Sequence, residues 1–315
     1  MKRFDASQYG FNPSAPVLND ATLEALFDKC CNWGRFGADD EAGTLNFITS
    51  QCRIDAAALV KEGISVSLAQ TLSAHESVNN PRPIVHFMAY EAHAPHAAMD
   101  FVGMVPHGMA ITHLDALGHC YYKGQIYNGR LASEEVTKTS RLRFASILAQ
   151  RGGIFTRGVL LDVARAKGVE FLEPGEYVSA QDLEDAAALA GADLRSGDAV
   201  IVHVGLEARE RRRGPEDRSL RAGLDAGAVA WLHHYEVSLF SGDCIERMPY
   251  PSEVMPVPLH QIGLVAMGLV LLDCPVLTEL VETARSLDRS HFLFTASPWP
   301  VPGATGSPVN PLAVF

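Results

Sequence analysis

What the sequence lacks narrows it first. Its six cysteines include no C-x-x-C pair, which argues against a zinc ribbon, and the adjacent Cys30 and Cys31 suit no simple disulfide frame. All six read as reduced thiols, with Cys120 set apart because it directly follows a motif histidine. No apolar run approaches the roughly 20 residues of a membrane span, and Met1-Lys2-Arg3-Phe4-Asp5 leads into no apolar signal core. The expected location is therefore cytoplasmic. Positive charge is also scarce: 26 Lys and Arg against 37 Asp and Glu leave a net charge of -11, which opposes both phosphate backbones and anionic lipid. Neither nucleic acid nor a membrane is an expected partner. No Gly-x-Ser-x-Gly elbow and no Walker loop occurs, which weakens serine-hydrolase and nucleotide-binding readings. With no repeat, low-complexity tract or Gly/Ser linker, residues 1–315 read as a single domain.

What is present suits an α/β protein. An apolar content of 47% in 315 residues is enough to bury a large core. Residues 64–68, 158–163 and 199–204 are apolar and β-branched runs that read as strands, the first with period-two alternation. Helical patterns lie between and after them at 21–31, 180–190, 227–234 and 259–267; the second is led by Ser179 with acidic residues in its first turns. The proline-rich stretch 297–311 is excluded as a helix or central strand and is expected to hug the surface or touch another subunit. Residues 209–218 read as a charged loop, and His75, His86, His93 and His96 as part of a loop over a pocket. His203 reads as a core residue, and His233-His234 as a helix end.

The chemistry is concentrated in Thr112-His113-Leu114-Asp115-Ala116-Leu117-Gly118-His119, preceded by His107-Gly108. On a strand, side chains alternate, so His113 and Asp115 share a face and can share one metal ion; His119 follows a short turn at Gly118. An imidazole beside a hard carboxylate suits Zn²⁺ or Mn²⁺. Such an ion brings the pKa of its water toward 7, and hydrolysis is the natural use. Two ligands are too few. His260 and Asp273, which flank a buried-looking apolar run, are the best candidates to complete the set, because buried charge needs a partner or a metal.

At these residues the chain resembles the metal-dependent cyclase family, the group that includes bacterial kynurenine formamidase and isatin hydrolase. The family pattern is His-x-Gly-Thr-His-x-Asp-x-Pro-x-His. Thr112, His113, Asp115 and His119 agree with it, while Met109, Ile111 and Leu117 stand where the family has His, Gly and Pro. Residues 33–46, 157–162, 197–198, 241–246, 260–273 and 306–311 are similar as well, so the likeness spans most of the chain. It implies a mixed α/β fold of the swivelling β/β/α kind, homo-oligomeric assembly as a dimer or tetramer, and hydrolysis of amide, lactam or lactone bonds of a small molecule with one or two Zn²⁺ or Mn²⁺ ions. It also implies His113 and Asp115 as ligands, His119 as general acid/base, and His260 and Asp273 completing the site. His107 is the nearest substitute for the histidine replaced by Met109. The competing readings are a dienelactone-type lactone hydrolase and a binding protein that has lost catalysis.

Overall fold

The computed structural model describes residues 3–89, 96–215, 217 and 219–315; His93, and Glu216 and Arg218 of the charged stretch 209–218, lie outside them. Of the three apolar runs, 158–163 and 199–204 fall in the middle of a nine-stranded mixed sheet and 64–68 forms one of its edges. Across it the strands are ordered Ser65–Ser67, Leu312–Val314, His291–Ala296, Ile154–Asp162, Ala199–His203, Leu239–Gly242, Val270–Asp273, His113–Asp115 and Gly306–Pro308. Four consecutive strands, from Ile154–Asp162 to Val270–Asp273, are parallel. Parallel strands joined by helical crossovers are covered on both faces, which is why residues 199–202 form an unbroken apolar run and are fully buried.

The parallel order ends at Val270–Asp273. Its next neighbour, His113–Asp115, runs antiparallel to it, with Asp273 opposite His113. The edge strand Gly306–Pro308 then pairs antiparallel on the far side, setting Gly306 opposite Asp115. Sequence-remote segments are thus held against the motif by backbone hydrogen bonds at the carboxyl end of the parallel strands, where crevices open in α/β sheets.

The helices follow local chemistry. Ala180–Leu189 starts at a capping box in which the Ser179 hydroxyl accepts from the Asp182 amide at 3.1 Å and the Asp182 carboxylate accepts from the Ser179 amide at 2.8 Å. Ala226–His234 is buried from Ala226 to Leu232, and near its end His233 Nδ1 lies 2.9 Å from the Tyr9 hydroxyl. Leu259–Met267 is helical as expected but wound as a π-helix.

Two expectations need correction. Residues 209–213 are not loop; they close the helix Leu206–Arg213, whose last-turn arginines face the negative end of its dipole. Its first amides are taken up by Asp243, which accepts from Val204, Gly205 and Leu206 at 2.7–2.9 Å. His86 is likewise not in a loop but in the strand Val85–Ala89, paired with Met99–Gly103 in a separate ribbon. The stretch 297–311 is, as expected, neither helix nor central strand: its Gly306–Pro308 forms an edge of the main sheet, where a proline at the strand end is tolerated. Among the described residues, no helix is long and apolar enough to cross a membrane.

Candidate metal centre

The motif strand places its two polar side chains as period two demands. His113 and Asp115 are both buried, with His113 Nε2 3.6 Å from Asp115 Oδ1. Leu114, pointing the other way, is fully buried in the core and anchors the strand. Just before it, the Thr112 hydroxyl donates to the Cys274 carbonyl at 2.7 Å and accepts from the Gln70 amide at 2.9 Å, so this motif residue ties segments together. The turn at Gly118 closes with the His119 amide donating to the Ala116 carbonyl at 2.9 Å.

Other segments converge on Asp115. His107 Nδ1 lies 3.0 Å from Asp115 Oδ1, and His260 Nε2 lies 3.7 Å from Asp115 Oδ2 and 3.5 Å from Asp273 Oδ2. Two sets of potential ligands result, His107, His113 and Asp115, and Asp115, His260 and Asp273, with one ligand atom per residue all within 4.8 Å in each set. Asp115 belongs to both. His119 stacks on His107 with ring centroids 3.7 Å apart and planes 6° from parallel.

Each inward-facing imidazole is fixed by its outer nitrogen. His113 Nδ1 donates to the Ile111 carbonyl at 2.8 Å, His107 Nε2 lies 3.0 Å from the Thr305 hydroxyl, and His260 Nδ1 lies 2.9 Å from Glu246 Oε2. Outer-shell partners of this kind fix ring orientation and tautomer in metal sites. The inner atoms, by contrast, face one another: His107 Nδ1, both Asp115 oxygens and Asp273 Oδ1 are buried and make no well-aligned hydrogen bond, His107 Nδ1 and Asp115 Oδ1 lying 3.0 Å apart. Leaving buried acceptors unmatched costs on the order of 1–3 kcal/mol each, and divalent cations at the two ligand sets would satisfy them. The donor set, imidazole nitrogen with carboxylate oxygen, fits Zn²⁺ or Mn²⁺.

The ionisable groups of the site shift one another. Burial pushes the Asp115 carboxyl up, but the close approach of His107 and the charges of His119, His113 and His260 outweigh it and hold the group well below the usual carboxylate range. Burial, with the neighbouring His107 and His260, depresses His119 to about 4 against the pull of Asp115, leaving it a neutral imidazole at pH 7. For His260 burial acts downward, yet Glu246 and Asp273 prevail and raise it well above the ordinary value. The Cys120 thiol is pushed up by burial, which opposes a thiolate nucleophile there.

All six residues expected from the sequence therefore lie together. Met109 does not join them: its sulfur is 3.8 Å from Cys274 Sγ, and His107, two residues upstream, faces Asp115 instead. Glu246 was missed as the partner of His260, since no local pattern links positions 14 apart. Gly306 was missed too. A Cβ there would sit 2.6 Å from His107 Cε1 and 2.9 Å from Nε2, so the absence of a side chain makes room for the ring.

Comparison with known proteins agrees with this picture. A family model described as "Putative cyclase" matches residues 52–246. Among solved structures, one described as a novel cyclase is 28% identical, covers 90% of this chain and 99% of its own, and superposes with a TM-score of 0.81. Isatin hydrolase A from Labrenzia aggregata, bound to benzyl benzoate, is 17% identical over 82% of this chain and 94% of its own, with a TM-score of 0.59. An isatin hydrolase bound to the product analogue thioisatinate is 15% identical over 85% and 99%, with a TM-score of 0.55. These last two share the fold. No curated protein sequence gives a match.

Proposed function

The chain belongs to the cyclase family, and from that premise we propose that it is a metal-dependent hydrolase opening an amide, lactam or lactone bond of a small cyclic or N-acyl substrate. The observation that carries this reading is the convergence of His107, His113, Asp115, His260 and Asp273, with both Asp115 oxygens and Asp273 Oδ1 buried and without a well-aligned hydrogen bond. These five residues would hold one or two Zn²⁺ or Mn²⁺ ions, with Asp115 common to both ligand sets. When bound, such an ion lowers the pKa of a coordinated water and polarises the substrate carbonyl.

The protein's own part is positioning and proton transfer. Glu246 holds His260, the Ile111 carbonyl holds His113, and Thr305 holds His107, so the inner nitrogens stay aimed without reorganisation. His119, neutral at pH 7, takes the proton from the attacking water and returns it to the leaving nitrogen or oxygen as the C–N or C–O bond breaks. Its stacking on His107 keeps the ring beside the reacting atoms. In the same reading the chain works as a homo-oligomer.

The test is elemental analysis of purified protein, followed by dialysis against a chelator and assay on N-formyl aromatic amines, isatin-like lactams and unsaturated lactones. The expected result is stoichiometric metal, with hydrolysis lost on removal and regained on adding Zn²⁺ or Mn²⁺. Full activity in demonstrably metal-free protein would overturn the proposal. The preferred substrate class in the same assay separates amide and lactam opening from lactone opening.

A further inference from the structure

Asp273 is the last residue of the strand Val270–Asp273, and the backbone that follows it at once leaves strand geometry. Cys274 has φ +58°, in the left-handed region that residues with a side chain rarely adopt. The last ladder pair between the two ligand-bearing strands is Asp273 opposite His113, so the left-handed residue falls where those strands part. A residue keeps such a conformation only where its surroundings over-determine it.

Here the surroundings are specific. The Cys274 carbonyl accepts two hydrogen bonds, from the Thr112 hydroxyl at 2.7 Å and from the Gln70 side-chain amide at 3.0 Å. The same Gln70 nitrogen donates to the Met109 carbonyl at 3.1 Å, which uses both of its N–H groups and fixes which way the carboxamide is turned. The Gln70 backbone amide donates in turn to the Thr112 hydroxyl at 2.9 Å. One carboxamide therefore ties the segment between His107 and His113 to the residue after Asp273. Beyond the turn, the Val276 amide donates to the Leu68 carbonyl at 2.8 Å, and Glu207 accepts from the Leu277 and Thr278 amides at 3.0 and 2.9 Å. Those bonds fix the chain that follows, whereas Gln70 and Thr112 act on the left-handed residue itself.

We propose that Gln70, together with Thr112, is a positioning residue of the metal centre: it clamps the left-handed turn at Cys274 and so aims the Asp273 carboxylate at the place shared with Asp115 and His260. This rests on the reading of Asp115, His260 and Asp273 as a ligand set. The Asp273 side chain is short, with two torsions, so its carboxylate follows its backbone. Released from the clamp, Cys274 relaxes toward negative φ, and the peptide joining it to Asp273 turns with it. Asp273 Oδ2, now 3.5 Å from His260 Nε2, then leaves the set. Gln70 is uncharged, so it acts on an ion through geometry and not through its field.

Metal binding by the full chain, read by competition with a chromophoric chelator, tests this in a mutant cycle. Far-UV circular dichroism and the thermal midpoint of the metal-free protein check folding. Gln70→Met, similar in size and without a donor, is expected to weaken Zn²⁺ or Mn²⁺ binding by about 10–100-fold. Glycine takes φ +58° without steric cost, so in a Cys274→Gly background the same substitution is expected to cost several-fold less. A Cys274→Ala background loses the thiol contact to the Gly108 carbonyl but keeps the Cβ, and there the full loss is expected. Equal losses in all three backgrounds overturn the proposal, because general destabilisation does not depend on the residue at 274. Wild-type affinity in Gln70→Met overturns it as well. Should Gln70→Met fail to fold, Thr112→Val takes its place, and Thr112→Ser, which keeps the hydroxyl, is expected to restore what valine loses; equal loss in both overturns the clamp. A wild type that binds neither ion overturns the metal-centre reading together with this one, so the wild type alone tells the two failures apart.

Discussion

His107 occupies space that Gly306 leaves open: the ring lies where any side chain at 306 would have to be, with its Cε1 2.6 Å from the position of a Cβ. The contact joins the loop before the motif to an edge strand nearly 200 residues later, and Thr305 on that same segment anchors the ring's outer nitrogen. Gly306→Ala is therefore expected to displace His107, and because its Cβ would also crowd the Leu114 carbonyl of the motif strand at 2.9 Å, the thermal midpoint is followed alongside. Metal affinity should fall by roughly 10–100-fold, the usual cost of disturbing a supporting contact, as measured by competition with a chromophoric chelator. Unchanged affinity would remove His107 from the ligand set.

Glu246 makes a second, separable prediction. Its carboxylate fixes His260 Nδ1 at 2.9 Å, which aims Nε2 at Asp115 and Asp273. Glu246→Gln retains the size and one acceptor but loses the charge. Metal affinity or turnover should drop by about 10–100-fold with little change in thermal midpoint, and an equal loss in a variant at an unrelated buried carboxylate would argue against a specific role.

His119 is expected to act on protons and not to bind metal. His119→Ala should lower kcat by about 10²–10⁴-fold, the usual contribution of a positioned acid or base, while bound metal per chain stays at the wild-type value. A variant that loses metal and activity together would instead make His119 a ligand.

A cluster away from the metal centre sets a pH dependence of stability. Burial acts to lower His203, but Asp243 and Asp162 outweigh it and hold its pKa above the ordinary 6.5. A raised folded-state value means that the stabilisation is fully present below pH 6.5 and is lost as pH rises through the folded value. Asp162 behaves in the opposite sense. Burial pushes it up, but the His203 hydrogen bond and charge, with Arg285, bring it down to about 2, so its contribution is lost as pH falls from about 4 through 2. Urea unfolding at pH 6 and pH 8.5 should show lower stability at the higher pH, and His203→Gln should flatten that difference. An unchanged slope in the variant would assign the effect to other groups.

How much was legible in the sequence depended on the range of the interaction that settles each feature. Two of the four parallel strands, at 158–163 and 199–204, showed as apolar runs because burial on both faces leaves no room for polar residues, and the helix at Ala180–Leu189 showed through Ser179 and its acidic first turns because capping acts over three residues. Residues 209–213 misled because a helix with no buried side chain carries no apolar periodicity; its start is held by Asp243, more than thirty residues away.

The same division runs through the site. Sequence alone determined that His113 and Asp115 share a face, that His119 follows a tight turn, and that His260 and Asp273 bound an apolar segment needing a charge partner, since strand alternation and burial cost are local rules. Only the tertiary structure decided that His107 and not Met109 meets Asp115, that Glu246 aims His260, and that Gly306 clears the space. Those choices depend on which strands lie beside one another, and that order comes from the packing of the whole sheet.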